Sequence, residues 1–247
     1  FEIILLSTNR NIKEINKQCK KFKPRFVIIN NVDSYKKFLR LNNHNIKVFN
    51  SYKDISNLKK KIDYTISAIS GFDGLEPTLQ IIPYSKTIAI ANKESLICGW
   101  NLIKKKIDKY KTNFIPIDSE HFSIWSLIKN QKKENIKKIY LTASGGPFLN
   151  INKKQFKNLR INQITNHPNW SMGKKISVDS STLMNKVLEV IEAKKIFKLN
   201  FNQISILIHP KSYLHAVVKF NDGIVNLIAH DTTMRVPIFN TIYENGE

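Results

Sequence analysis

The stretch FEIILLSTNRNIKEINKQCKKFKPRFVIIN, Phe1–Asn30, sets the architecture. Its first six residues, Phe1 to Leu6, form a compact apolar run that predicts a strand. Ile12 to Phe22 is amphipathic and predicts a helix, and PRFVIIN predicts a second strand. Strand, helix and strand in succession, joined by short connections, give a parallel sheet. Asn9, Arg10 and Asn11 then stand at the carboxyl end of the first strand. Open α/β sheets bind ligands there, and an arginine can meet a ribose 2′-phosphate. The plainer reading of Arg10 is a surface loop residue.

The same alternation continues outward. DYTISAIS (Asp63–Ser70) reads as a strand, and Gly71 and Gly74 allow a tight turn before a helix. KTIAIA (Lys86–Ala91) is a strand ending in Asn92-Lys93-Glu94-Ser95, more polar than a simple connection needs. NFIPI (Asn113–Ile117) leads into Asp118-Ser119-Glu120-His121. In an extended chain Asp118 and Glu120 point the same way, a hard-oxygen pair suited to Mg²⁺ or Mn²⁺. The competing reading is an acidic helix N-terminus.

KIYLT (Lys138–Thr142) is a strand entering Ala143-Ser144-Gly145-Gly146-Pro147-Phe148, where a glycine pair lets backbone amides approach an anion. The pattern is not the GxSxG elbow of serine hydrolases. Ile204–His209, Tyr213–Phe220 and Gly223–Ala229 read as antiparallel strands of a second sheet. His209 and His215 are metal ligands on one reading and hydrogen-bonded structural residues on the other.

Polar groups are most densely patterned in HPNWSMGKKISVDSSTLMNKVLEVIEAKKIF, His167–Phe197. It reads as a loop hinged at Gly173, a short strand, and a helix starting near Ser181. Met184, Val187, Leu188 and Ile191 fall at helical spacing and predict the core-facing stripe. Thr182, Asn185, Lys186, Glu189 and Glu192 occupy the other face, so an amide, an ammonium and a carboxylate converge. Ser180 and Ser181 at the helix start could cap it and help hold a phosphate. On the bland alternative Ser181 is a plain N-cap and Lys186 with Glu189 an exposed ion pair.

Bulk properties narrow the classes. Hydrophobic residues make up 42% of the 247, a globular composition with room for two small domains. Forty basic against 19 acidic side chains give a net charge of +21. That excess alone would suit a nucleic-acid partner, but the lysines are scattered and accompany abundant Asn and Ile, as AT-rich codon drift produces. Cys19 and Cys98 have no CxxC spacing, so a reducing compartment is the default. No run of about 18 apolar residues predicts a membrane span. Phe1 already opens a strand, which suggests that the start of the protein lies upstream.

Together ANKESL (Ala91–Leu96), PIDSEH (Pro116–His121), SGGPF (Ser144–Phe148), HPNWSMGKKISVDS (His167–Ser180), MNKVLEVIEA (Met184–Ala193) and IHPKSYLH (Ile208–His215) are similar to the 1-deoxy-D-xylulose 5-phosphate reductoisomerase family. They occur in family order and span nearly the whole chain. The resemblance implies a Rossmann-like parallel-sheet NADPH domain over residues 1–115, followed by an α/β catalytic domain with a mixed or antiparallel sheet over 116–247. It implies a homodimer acting on a sugar phosphate, in the cytoplasm of a bacterium or in a plastid-type organelle, with neither nucleic acid nor membrane as partner. The reaction would be NADPH-dependent isomerisation and reduction to 2-C-methyl-D-erythritol 4-phosphate, with Mn²⁺ or Mg²⁺.

By the same resemblance Asp118, Glu120 and Glu189 hold the cation, and Ser144, Ser180, Asn185 and Lys186 hold the substrate phosphate. Lys93, Ser119 and His167 contact the substrate, with Lys93, Glu120 and His167 catalytic, and Trp170 closes over it. Asn92, Glu94 and Gly173 touch the cofactor, whose adenosine end meets Asn9, Arg10 and Asn11. The chain departs from the family pattern in lacking the glycine-rich turn after a first strand and a C-terminal helical domain. It also carries Thr233 where an acidic residue is usual, and His230-Asp231-Thr232 in place of a Gly-Glu-Pro run. Two other readings remain: an NADPH and metal enzyme for a different phosphorylated sugar, and a basic nucleic-acid-binding protein.

Overall fold

Asn11 starts the first helix by accepting a hydrogen bond from the Glu14 amide at 3.1 Å, which satisfies one of the helix's exposed donors. This helix, α1 (Ile12–Phe22), buries Ile15 and Cys19 at helical spacing and ends where Lys23 turns left-handed. It connects β1 (Leu5–Thr8) to β2 (Phe26–Ile29), and α2 (Val32–Leu41) follows before β3 (Lys47–Phe49). The three strands form one sheet in the order β1-β2-β3, with both pairs parallel and Leu5 opposite Phe26. Val27, Ile28 and Ile29 of the central strand are wholly buried, as a strand covered on both faces requires. The first strand starts at Leu5, not Phe1, whose ring stands in solvent.

The structure is a computed structural model and describes residues 1–41, 45–152, 154, 157, 161–165, 170 and 173–243. His167 lies outside the described residues.

A second sheet has the order β4-β5-β6, built from β4 (Ile62–Ser67), β5 (Ser85–Ile90) and β6 (Asn113–Pro116). Helix α3 (Leu75–Ile81) links the first two strands and α4 (Lys93–Tyr110) the next two. Then come α5 (Ser119–Ile128), β7 (Ile136–Ala143), α6 (Ile161–Thr165), α7 (Lys174–Ser181) and α8 (Met184–Phe197). The chain continues through β8 (Ile204–Ile208), β9 (Leu214–Phe220), β10 (Val225–Ala229) and α9 (Arg235–Ile242).

The third sheet is mixed, in the order β10-β9-β7-β8. β9 pairs antiparallel with β7 and with β10, whereas β8 pairs parallel with β7, with Ile139 opposite Ile204. The sheet is thus mixed, as expected: β8, β9 and β10 alternate in direction, and the parallel contact is the one between β8 and β7. The helix α8 intervenes between β7 and β8, and a crossover of that kind is what a parallel pair needs.

Two compact units result. One comprises Phe1–Thr65, Leu75–Ile88 and Leu102–Asn113; the other comprises Ile66–Gly74, Ala89–Asn101 and Phe114–Glu247. The first unit's core gathers Ile15, Cys19, Val27, Ile29 and Phe38. In the second, Ile139, Leu141, Ala216, Val218 and Phe220 of the mixed sheet pack with Ile124 of α5 and Ala193 of α8. None of the described helices is long and apolar enough to cross a membrane.

The stretch from Gly173 to Phe197 differs from its sequence reading. No short strand forms: Lys174–Ser181 is helical, with the Ser177 hydroxyl donating to the Gly173 carbonyl at 3.2 Å and Lys175 paired to Asp179 one turn on. Those local bonds outweigh the strand-like alternation of Ile176 and Val178, which end up exposed. Ser180 and Ser181 therefore close one helix and do not open the next. Leu183, with φ of 58°, breaks the chain before α8. The faces of α8 are also largely exchanged: Met184 and Val187 of the expected core stripe are exposed and Leu188 and Ile191 half-buried, while Lys186, Glu189 and Glu192 are buried.

Ile139 is fully buried at the centre of the mixed sheet. Ile139→Ala is expected to lower the unfolding free energy by about 3 kcal/mol, and urea denaturation showing a loss under about 1 kcal/mol would contradict this placement of the core.

Candidate active site

Three strand ends deliver the polar groups. Lys93 begins α4 just after β5, Asp118 is the residue before α5 just after β6, and Ser144 follows β7. The carboxyl ends of strands are where such sheets bind ligands, because the chain leaves the hydrogen-bonded ladder there and can expose side chains. Asp118 and Glu120 come together through the strand-to-helix turn and not along an extended strand. Asp118 is the last extended residue and Glu120 lies in the first turn of α5, so the acidic helix N-terminus and the paired carboxylates are one feature. Helix α8 brings Asn185, Lys186 and Glu189.

One oxygen each from Asp118, Glu120 and Glu189 lie within 4.8 Å of one another. Two ammonium groups sit among them. Lys93 Nζ is 2.9 Å from Asp118 Oδ2 and 3.4 Å from Glu189 Oε1, and it donates to Asn185 Oδ1 at 2.8 Å. Lys186 Nζ is 3.2 Å from Glu120 Oε1 and bonded to Glu189 Oε2, which with its other oxygen accepts from the Asn185 amide. His121, fully buried, approaches Asp118 from within α5.

Burial at such a place is costly for each charge, and mutual pairing offsets the cost. Burial pushes the Asp118 carboxyl up, but Lys93 and His121 outweigh it and hold it well below the usual carboxylate range. Glu120 goes the other way: burial, reinforced by Glu189 and Asp118 and opposed by Lys186, raises it to about 7. For Lys186 and Lys93 burial pulls the ammonium down, yet the surrounding carboxylates prevail and both are raised. His121 is likewise carried up to about 9 against burial by Glu192 and Asp118.

Beside this cluster lies a cavity of about 350 Å³, lined among others by Lys93, Asp118, Ser119, Ser144, Trp170, Gly173, Ser180, Asn185, Lys186 and Glu189. At its Ser144 side Gly145 and Gly146 have φ of 86° and 70°, and the Gly146 amide donates to Ser144 Oγ at 3.0 Å. A Cβ on Gly146 would come within 2.8 Å of the Ser180 carbonyl oxygen. The glycine thus permits both the left-handed backbone and the close approach of the α7 end. The Trp170 ring meets His215 edge to face, with centroids 6.0 Å apart.

Residues 1–99 match the family model for 1-deoxy-D-xylulose 5-phosphate reductoisomerase, and residues 114–197 match the model for that enzyme's C-terminal domain. The reductoisomerase of Pelagibacter ubique is 59% identical over 251 aligned residues, covering 100% of this chain. The chain belongs to the 1-deoxy-D-xylulose 5-phosphate reductoisomerase family. A crystal structure of a reductoisomerase in complex with NADPH, fosmidomycin and magnesium superposes with a TM-score of 0.90 at 32% identity, covering 100% of this chain and 64% of that one. The enzyme from Zymomonas mobilis in complex with NADPH gives 0.88 at 31% identity, over 98% of this chain and 63% of its own. The chain spans 65% of the Pelagibacter reductoisomerase.

Of the residues picked out by the family motifs, Lys93, Ser119, Ser144, Trp170, Ser180, Asn185, Lys186 and Glu189 share the one cavity with Asp118 and Gly173. Glu120 reaches the carboxylate cluster from beside it, its Oε2 accepting from the Ser119 hydroxyl at 2.6 Å. Lys186, expected at the phosphate, is bonded in this structure to Glu120 and Glu189. Asn92 is buried, its side chain donating to the Gly71 carbonyl at 2.7 Å and accepting from the Ser95 amide at 2.7 Å, so its amide pins a turn and a helix start. Glu94 pairs with Lys175 at 2.8 Å. Asn9, Arg10 and Asn11 are exposed at the end of β1 in the other compact unit.

His209 and His215 belong to none of the described ligand clusters. The structural reading of His215 holds: it is buried, its Nε2 donates to the His230 carbonyl at 3.2 Å, and its ring stacks on that of His230 at 3.7 Å. Sequence reading placed Glu192 on the polar face with Lys186 and Glu189 but missed His121, and with it the contact between the two. The signal for His121 was its place directly after Glu120.

Burial, helped by His230 and Lys186 and opposed by Asp118, depresses His215 from 6.5 to about 4. A depressed folded-state value means that the unfolded chain takes up the proton first. The associated stability is therefore complete above about pH 6.5 and is lost as pH falls toward 4. Between pH 7 and 4.5 the protein should lose on the order of 2 kcal/mol more than His215→Asn, after allowing for solvent screening. Parallel losses in urea titrations at the two pH values would refute this.

Proposed function

We propose that the chain performs the reductoisomerase reaction of its family, converting 1-deoxy-D-xylulose 5-phosphate to 2-C-methyl-D-erythritol 4-phosphate with NADPH and one divalent cation. The observation that carries this reading is the convergence of Asp118, Glu120 and Glu189 next to a cavity lined by Lys93, Ser144 and Asn185. Three hard carboxylate oxygens suit Mg²⁺ or Mn²⁺ and not a softer metal. The magnesium and NADPH of the related crystal complex support the same choice of cofactors.

A divalent cation held there supplies electrophilic polarisation of the sugar's carbonyl and hydroxyl oxygens, and NADPH supplies a hydride. The chain's own groups do the rest. Lys93 and Lys186 are two positive charges among three carboxylates. Once a dication balances those carboxylates, both ammoniums are available to the anionic substrate, which would reconcile the position of Lys186 with a role at the phosphate. Ser144, whose hydroxyl oxygen the Gly146 amide fixes, the Gly145 amide, Ser180 and Asn185 form the remainder of the phosphate cradle. Trp170, seated on His215, covers the cavity and excludes water, with His167 as a further substrate contact.

Residues 1–115 are assigned to cofactor binding, with Asn9, Arg10 and Asn11 at its adenosine end and Asn92, Glu94 and Gly173 nearer the nicotinamide. Residues 116–247 are assigned to catalysis. Exposed Leu207, Val225 and Leu227 stand on the same side of the mixed sheet, away from its core, an apolar face consistent with a homodimer. The free cysteines Cys19 and Cys98 and the bacterial relatives fit a cytoplasmic enzyme.

Glu189→Gln should weaken Mn²⁺ binding by at least about tenfold in calorimetric titration and abolish Mn²⁺-dependent NADPH oxidation with the sugar phosphate. Wild-type behaviour in both assays would dismiss the three-carboxylate assignment. Lys186→Met should raise KM for the sugar phosphate by about tenfold or more, as loss of a charge-assisted contact does. An unchanged KM would remove Lys186 from the phosphate site.

A further inference from the structure

His121 and Glu192 lie against the carboxylate cluster without belonging to the cation ligands assigned above. The His121 ring is buried and lies parallel to Phe197, 6.2 Å between centroids. Its Nε2 is 2.9 Å from the backbone carbonyl oxygen of Glu189. A carbonyl only accepts, so Nε2 carries the hydrogen and the ring is tied to the backbone of α8 at the very residue that supplies a carboxylate. Its Nδ1 is 3.6 Å from Asp118 Oδ1 and 3.7 Å from Glu192 Oε2. Neither Nδ1 nor Glu192 Oε2 has a hydrogen-bond partner, although both are buried.

A carboxylate oxygen left unbonded in the interior is expensive, and side chains of this kind persist where they serve a site. Glu192 stands one turn beyond Glu189 on α8, while His121 stands in the first turn of α5, three residues after Asp118, which precedes that helix. The histidine therefore links the two elements that carry the three cation ligands. Ligand carboxylates held by a fixed partner bind a metal in one geometry, whereas unsupported ones must be ordered on binding.

We propose that Glu192 is a positioning residue for the cation site: it holds the His121 imidazole, which in turn fixes the Asp118 carboxylate and the Glu189 segment of α8. This rests on the assignment of Asp118, Glu120 and Glu189 as cation ligands. Glu192 touches neither substrate nor cation; its effect passes through His121.

Calorimetric titration of the metal-free protein with Mn²⁺ tests the proposal, using the wild type, Glu192→Gln, His121→Asn and the double variant, with Glu189→Gln as reference. The expected results are one Mn²⁺ per wild-type chain and an affinity reduced about tenfold or more in Glu192→Gln. Its metal-free melting temperature should lie close to that of the wild type, a split that a merely structural role would not produce. The double variant should bind no more than about twofold worse than the weaker single variant, because the two residues act in series. Glu192→Gln binding within about twofold of the wild type, or losses that multiply in the double variant, would overturn it. Two Mn²⁺ per wild-type chain would also overturn it, since Asp118, His121 and Glu192 could then form a second site. If Glu192→Gln does not fold, Glu192→Asp keeps the charge and withdraws it from Nδ1: weaker binding supports the proposal and unchanged binding overturns it. Absence of Mn²⁺ binding by the wild type would sink the cation assignment itself, an outcome distinct from an intact site indifferent to Glu192.

Discussion

The arrangement depends on one constraint, the balance of charge in a buried place. Four carboxylates, from Asp118, Glu120, Glu189 and Glu192, face three basic side chains, Lys93, Lys186 and His121. In the interior an isolated charge costs several kcal/mol, so each group is tolerable only because others answer it. The outcome is not uniform pairing. Asp118 is driven well below its ordinary range, whereas Glu120 and Glu192 are raised to about 7. On the proposed assignment, a divalent cation would bring two positive charges in one particle to this unevenly balanced cluster.

Holding that cluster together falls to ordinary architecture. Strand ends after β5 and β6 place Lys93 and Asp118, and the crossover helix between β7 and β8 brings Asn185, Lys186 and Glu189. The core beneath is aliphatic: Ile139, Leu141 and Val218 from the sheet meet Ile124 of α5 and Ala193 of α8. Helices α5 and α8, which carry charged side chains of the cluster, each also supply an apolar residue to this core. Gly146 matters for the same reason at a smaller scale, because only a residue without a Cβ lets the end of α7 come so near the Ser144 loop.

Membership in the reductoisomerase family was legible because the motifs are local, and so were most of the residues that line the candidate site. ANKESL, PIDSEH and SGGPF each sit on a single strand-to-helix connection, where the identity of a few adjacent residues decides what the connection can do. Helix α8 was misjudged for the opposite reason. Hydrophobic spacing pointed Met184 and Val187 inward, yet they are exposed and Lys186, Glu189 and Glu192 are buried. Periodicity locates an apolar stripe but cannot register that the helix backs onto a cluster of opposite charges, for which a polar inner face is the favourable one. The strand expected before Ser180 failed similarly, since the Lys175–Asp179 pair and the Ser177 bond to Gly173 favour a helix over two β-branched residues.

By itself the sequence determined the alternation of strands and helices in the first third of the chain. It also determined the family and the acidic, amide and basic residues that gather at the cavity, because those follow from short-range patterns of residue type. Tertiary structure alone decided the parallel pairing of β8, the burial of the polar face of α8, the commitment of Lys186 to carboxylates and the link from Glu192 through His121 to Asp118. Each of those joins residues far apart along the chain, and which partners neutralise a buried charge is known only once packing has brought them together.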